Sequence, residues 1–172
     1  VQQVGQALHR AGFNGVLIVI SNPVDVITGI YQQVTGLPAN QVFGTGTYLD
    51  TARLKRSLGD ALNVDPRSIQ GYMLGEHGDS QFAAWSTVRV LGQKADELVT
   101  NYHLDLDAVA NDARVGGFTV FSGKKYTNFA IAHAAVSLAQ LVLSDAHNEA
   151  IVSHYDARFA GYISTPAIIG RS

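Results

Sequence analysis

This chain of 172 residues predicts an α/β fold, with strands and helices alternating around a parallel sheet. Three observations predict it. Val16-Leu17-Ile18-Val19-Ile20 is an unbroken apolar, largely β-branched run, the pattern of a strand covered on both faces. A helix-length segment follows Pro23, and Val42-Phe43-Gly44 is a second short apolar run. Strand, helix and strand at this spacing make a βαβ unit.

The chain opens as a helix already in progress, with Val1, Val4 and Leu8 at i, i+3 and i+7 and no capping residue ahead of them. Gly12 is its stop. The start at Val1 and the abrupt end after Ile168-Ile169-Gly170 read as the edges of an internal piece of a longer protein. Ser21-Asn22-Pro23 breaks the first strand, and Pro23 opens a helix over 24–33. Gly36-Leu37-Pro38 is a turn. The next helix is predicted from Tyr48 to Leu62, with Leu54, Leu58 and Leu62 in line at a spacing of four. Asp65-Pro66 marks its exit. A strand is predicted over 69–74 and further strand over 82–90, with Gly92 as a turn. A helix over 104–115 is closed by Gly116-Gly117, and 118–121 admits either state. Residues 127–146, rich in Ala, Leu and Ile, read as a long buried helix. Strands over 151–155 and 161–169 finish the chain. There are no repeats, and no linker marks a domain boundary.

Nearly half the residues are apolar (47%), and 15% are charged, against the usual quarter. That predicts much buried surface, subunit contacts included. The formal net charge is -2, and without a basic stripe the chain has no footprint for nucleic acid or an anionic membrane. No apolar run approaches the roughly 20 residues of a membrane span, and no signal peptide is visible. There are no cysteines, which excludes a disulfide scaffold, a thiolate metal site and a cysteine nucleophile, and fits the cytoplasm.

Two constellations carry chemistry. Gly75-Glu76-His77-Gly78-Asp79 places a histidine between acids and glycines on a loop. By itself such a histidine is more often incidental, in a loop whose acids satisfy backbone N–H groups. His9, His103, His133, His147 and His154 form no HxxxH or HExxH pattern with it, so no metal site is predicted. Asp50 and Arg53 stand at i, i+3, where a surface ion pair is the plain alternative. Yet Asp50 falls in the first turn of its helix, which favours a carboxylate, and helix starts after strands are where α/β ligand sites gather. Arg53 offers a rigid fork for a carboxylate. Asn22, at a strand end, is either a turn former before Pro23 or a donor and acceptor for a ligand. Gly44-Thr45-Gly46-Thr47-Tyr48-Leu49 has G-x-G but Leu49 where a third glycine belongs, so it is rejected as a pyrophosphate loop and assigned to close backbone packing.

These segments, in this order, resemble the L-2-hydroxyacid dehydrogenases of the lactate/malate dehydrogenase family. Val19-Ile20-Ser21-Asn22-Pro23-Val24-Asp25, Gly44 through Arg53, Gly75-Glu76-His77-Gly78-Asp79-Ser80 and Tyr126-Thr127-Asn128-Phe129-Ala130 match jointly. The likeness spans essentially the whole chain and is lactate-type, nearest to the L-2-hydroxyisocaproate dehydrogenase branch around 82–90. The resemblance implies a Rossmann remnant with a parallel sheet over 1–46. An α+β catalytic domain of the lactate dehydrogenase type would follow over 47–172, truncated at its C-terminus. It implies NAD as cofactor, with Ser21, Asn22 and His77 at the nicotinamide end. His77 would exchange a proton with the substrate oxygen, Asp50 would orient His77, Arg53 would grip the substrate carboxylate, Asn22 would hydrogen-bond to substrate, and Thr127 would line the pocket.

The sequence also departs from the family. The family's glycine fingerprint and adenosine-binding acid would lie upstream of Val1, and its carbonyl-polarising arginine loop is missing as well. Lys55 and Gln70 occupy the positions that bind fructose 1,6-bisphosphate in some bacterial lactate dehydrogenases. A lysine lacks the fork and a glutamine cannot become cationic, so no such activation is expected. The reading is therefore a piece of an NAD-dependent L-2-hydroxyacid dehydrogenase, cytoplasmic and homo-oligomeric (dimer or tetramer). The alternatives are a malate-specific enzyme of the same fold, or an inactive fragment with a bare sheet edge.

Overall fold

The structure is a computed structural model that describes residues 1–171. Helix α1 (Gln2–Arg10) runs to Gly12, which takes φ +66. The periodic valines are not its buried face: Val1 and Val4 are exposed, and Gly5 is buried instead. A Cβ at Gly5 would lie 2.8 Å from Val34 Cγ1, so α1 packs through its smallest residue. His9 Nδ1, 2.7 Å from the Thr35 carbonyl, adds a polar tie.

Strand β1 (Leu17–Val19), helix α2 (Val24–Thr35) and strand β2 (Val42–Gly44) form the expected βαβ unit, with β1 and β2 parallel. Gly36, left-handed at φ 72, closes α2. The predicted burial of β1 on both faces holds only in part. It is the outer strand of the sheet, and Leu17 and Ile18 are half-buried.

Helix α3 (Tyr48–Leu62) has the predicted bounds, with Leu54 and Leu58 fully buried. The expected strand over 69–74 splits into β3 (Ile69–Gln70) and β4 (Met73–Leu74). Gly71, at φ +148, bends the chain between them. Residues 82–90 likewise divide into β5 (Phe82–Ala83), a 3-10 turn (Trp85–Thr87) and β6 (Arg89–Val90). They pair as two small antiparallel ribbons, β3 with β6 and β4 with β5. Helix α4 (Ala95–Tyr102) has no counterpart in the sequence reading. Helix α5 (Leu106–Lys124) runs straight through Gly116-Gly117, which were expected to end it.

Helix α6 (Phe129–Leu143) buries only Ala134 and Leu138, and Phe129 is 76% exposed. The expectation of a buried helix is corrected: α6 covers the sheet with one stripe and turns the rest outward. Strands β7 (Asn148–Asp156) and β8 (Gly161–Ile169) form an antiparallel hairpin. β7 joins β2, giving a mixed sheet in the order β1-β2-β7-β8. One core cluster gathers α3, α4, α5 and the small ribbons around Leu54, Leu58, Met73 and Leu98. The other sets Leu138 of α6 on Phe43, Ala150 and Val152 of the sheet. No helix is long and apolar enough to cross a membrane among the described residues.

Candidate active site

Helix α3 starts where β2 ends, and glycine allows the junction. A Cβ at Gly44 would lie 2.6 Å from Thr28 Oγ1, and one at Gly46 would lie 2.6 Å from the Ser153 nitrogen. The junction is closely packed, the role expected of these glycines. The Thr47 N–H donates to Ser164 Oγ (3.1 Å), and Thr47 Oγ1 donates to the Met73 carbonyl (2.6 Å). The Met73 N–H donates in turn to Thr51 Oγ1 (3.0 Å). Gly75, which opens the histidine loop, exchanges two backbone hydrogen bonds with Ser164 of β8, each 3.0 Å. Buried hydrogen bonds of this kind are costly to leave unmade. They tie the first turn of α3, the strand before the loop and β8 into one frame.

Asp50 hangs from that frame with its side chain 1% exposed. Its Oδ2 lies 2.7 Å from His77 Nδ1, and its Oδ1 accepts from Arg53 Nη1 at 2.7 Å. A buried carboxylate is tolerated when it is paired and hydrogen-bonded, and here both oxygens are engaged. The three residues singled out in the sequence therefore meet on one carboxylate. The His77 pKa is raised, first by the hydrogen bond to Asp50. Burial opposes the rise, the Asp50 and Asp25 charges add to it, and Arg53 subtracts. With Nδ1 donating to Asp50, Nε2 is the nitrogen left to trade a proton with a bound molecule.

Arg53, with its side chain 17% exposed, is framed from the far side by α5. A Cβ on Gly116 would lie 3.0 Å from Arg53 Cδ, and one on Gly117 would lie 3.4 Å from both terminal nitrogens. Among the described residues only Nη1 of the guanidinium is engaged. Nε and Nη2 remain as donors for a planar anion.

The loop itself is short and pinned. The His77 N–H donates to Asp25 Oδ2 (2.9 Å) in the first turn of α2. Ser80 Oγ donates to Glu76 Oε2 (2.6 Å). Ser21 and Asn22 are exposed at the end of β1, before the cis Asn22-Pro23 bond. Neither hydrogen-bonds to the cluster among the described residues, but α2 carries their corner to the loop through Asp25. Thr127 is exposed in the connection from α5 to α6 and makes no hydrogen bond to His77 or Arg53. Lys55 is half-buried and Gln70 exposed. Burial lowers the Lys55 pKa, against the pull of Glu149. Sequence reasoning missed three parts of the site. Asp25 signalled itself as an acid in a first helical turn and as the last residue of the matching segment 19–25, without a role. Ser164 gave no signal, and Gly116-Gly117 read as a stop.

Residues 47–172 match the family described as lactate/malate dehydrogenase, alpha/beta C-terminal domain. The chain belongs to the lactate/malate dehydrogenase family. It is 37% identical over 180 residues to L-lactate dehydrogenase 3 of Bacillus thuringiensis subsp. konkukian, covering 99% of this chain and 57% of that protein. It is 36% identical over 177 residues to an L-lactate dehydrogenase of Mycoplasma mycoides subsp. mycoides SC, covering 99% of this chain and 56% of that one. Its fold superposes on the ligands-bound minor L-lactate dehydrogenase of Enterococcus mundtii with a TM-score of 0.91 at 33% identity, covering 98% of this chain and 58% of that chain. The chain thus spans little more than half the length of these lactate/malate dehydrogenase relatives.

Proposed function

We propose that this chain carries the substrate-binding and proton-transfer part of an NAD-dependent L-2-hydroxyacid dehydrogenase, which interconverts a 2-keto acid and its L-2-hydroxy acid. Residues 1–46 belong to its Rossmann domain and 47–172 to its substrate domain. The observation that carries this reading is the shared carboxylate: one imidazole and one guanidinium converge on Asp50. The relatives are L-lactate dehydrogenases, which favours a monocarboxylic 2-keto acid over a malate-specific site.

Arg53 holds the substrate carboxylate with the part of its fork that Asp50 leaves free. His77 gives its Nε2 proton to the keto oxygen, or takes one from the alcohol. Asp50 holds the ring in one tautomer and stabilises its protonated form. Asn22 donates to the substrate oxygen, and Thr127 lines the side-chain end of the pocket. Ser21, Asn22 and His77 would hold the nicotinamide end of NAD, since the C-terminal ends of sheet strands are where open α/β folds take ligands. The bound cofactor supplies the hydride.

The enzyme is a cytoplasmic homo-oligomer, dimer or tetramer; the absence of cysteine from this chain fits a reducing compartment. The large apolar side chains left exposed on α5 and α6, Phe118, Phe121 and Phe129 among them, support assembly. No fructose 1,6-bisphosphate activation is expected of the enzyme, since Lys55 lacks the guanidinium fork and Gln70 cannot become cationic. In the enzyme that carries this chain, His77→Asn and Arg53→Leu should each abolish turnover of 2-keto acids. Steady-state kinetics decides it: either variant keeping most of its kcat/KM overturns the assignment.

A further inference from the structure

The clearest group left over by this mechanism is Asp25. It stands in the first turn of α2, three residues after Asn22 and in a different part of the chain from the histidine loop. Its Oδ2 accepts the His77 N–H at 2.9 Å across 52 residues of sequence. Its Oδ1 is buried with no partner among the described residues. The carboxylate is therefore not shared with a wider network, and His77 is what it holds. An unpaired buried acceptor is a standing cost, and a neutral side chain with one acceptor would have met the same N–H.

We propose that Asp25 is a positioning residue that pins the backbone of His77 to the N-terminus of α2 and so sets the imidazole against the Asn22 corner. The inference rests on the dehydrogenase reading. Without this bond the loop is still closed at its foot, by the β4–β5 pairing and Gly75 to Ser164. It is also touched by Arg114 of α5 at Asp79 (3.9 Å) and held by the ring through Asp50. Nothing else among the described residues ties the His77 main chain to α2. Asp50 fixes the ring from the side of α3, and Asp25 fixes the main chain from the side of α2. Two carboxylates from two elements thus determine where Nε2 stands. The charged groups acting on the ring are Asp50 and Arg53 from α3 and Asp25 from α2. The negative charge at position 25, and not only its acceptor oxygen, therefore has a consequence for His77.

The test uses Asp25→Ala and Asp25→Asn in the whole protein and reads two signals by NMR: exchange of the His77 amide and titration of its ring. Asp25→Ala should speed amide exchange at least about tenfold, the factor one lost charge-assisted hydrogen bond supplies. It should also lower the ring's titration midpoint. Asp25→Asn keeps an acceptor, so it should leave the amide protected while the midpoint still falls. Wild-type exchange and titration in Asp25→Ala would overturn the proposal. Should Asp25→Ala unfold the protein, the wild-type amide decides alone, and a His77 N–H that exchanges as fast as an unprotected loop amide overturns it. Neither signal uses substrate or cofactor. A failure here therefore leaves the dehydrogenase reading standing, and an active His77→Asn variant would sink that reading while leaving both NMR signals as they are.

Discussion

Helix α3 is met on two sides, and glycine serves each side differently. At its start the neighbour arrives by backbone: Gly46 lets the main chain of β7 at Ser153 come closer than a Cβ permits, and buried hydrogen bonds tie Thr47 to Ser164 of β8 and Thr51 to Met73 of β4. One or two turns later α5 arrives, and there Gly116 and Gly117 make room for the side chain of Arg53 rather than for another backbone. The first side builds the frame. The second leaves a charged group the space it needs. A glycine that relieves backbone crowding should be irreplaceable for folding, whereas one that clears a side chain should matter for what that side chain does.

Gly46→Ala gives the largest expected effect. Its φ of +49 and the Ser153 nitrogen 2.6 Å from the new Cβ leave nowhere for a methyl group, so stability should fall by about 3 kcal/mol. A urea midpoint close to wild type would break the contrast from the first side. Gly116→Ala comes next. Alanine is favoured over glycine in a helix interior by up to about 1 kcal/mol, so the fold should hold while the Cβ, 3.0 Å from Arg53 Cδ, displaces the guanidinium. A misplacement of that size should lower kcat/KM about 10²-fold, with an unchanged urea midpoint. Loss of folding instead of activity would show that the second side is a backbone contact after all. Gly117→Ala, at 3.4 Å from the guanidinium nitrogens, should do the same more weakly.

The mildest lever acts only on the charges beside α3. The folded pKa of His77 lies above its unfolded value, with the hydrogen bond to Asp50 as the main cause. The pair's contribution to stability is therefore complete below the unfolded pKa of about 6.5 and is lost as pH rises through the folded pKa. Denaturant titrations of wild type and His77→Asn should differ most at acidic pH and converge toward alkaline pH. A gap that widens as pH rises would contradict the His77–Asp50 pairing.

Much of this was legible beforehand, and the exceptions share a cause. The βαβ unit, α3 and β8 could be read because each rests on a local signal: an unbroken β-branched run, leucines every fourth residue, a glycine or proline at an end. The same signals misled wherever a distant contact outweighed them. Gly116-Gly117 looks like a helix stop, yet α5 continues because Val109 and Ala113 pack it onto α3. Gly5 looked featureless, yet it is the contact between α1 and α2. The run 69–74 looked like one strand, but Gly71 turns it so that β4 can reach the first turn of α3.

By itself the sequence determined which residues can do chemistry and how far apart they lie on the chain. Asp50 and Arg53 share a helix face at i, i+3, His77 stands in a glycine-flanked loop, and Asn22 closes a strand. Spacing along one helix is set by its 3.6-residue turn and needs no partner. Only the tertiary structure decided that His77 and Arg53 divide the two oxygens of one buried carboxylate. It also decided that Asp25 holds the loop from across the molecule and that α5 clears space for the guanidinium. Those contacts join residues from 27 to more than 60 positions apart. No local preference encodes such a meeting, because it follows from which surfaces bury one another.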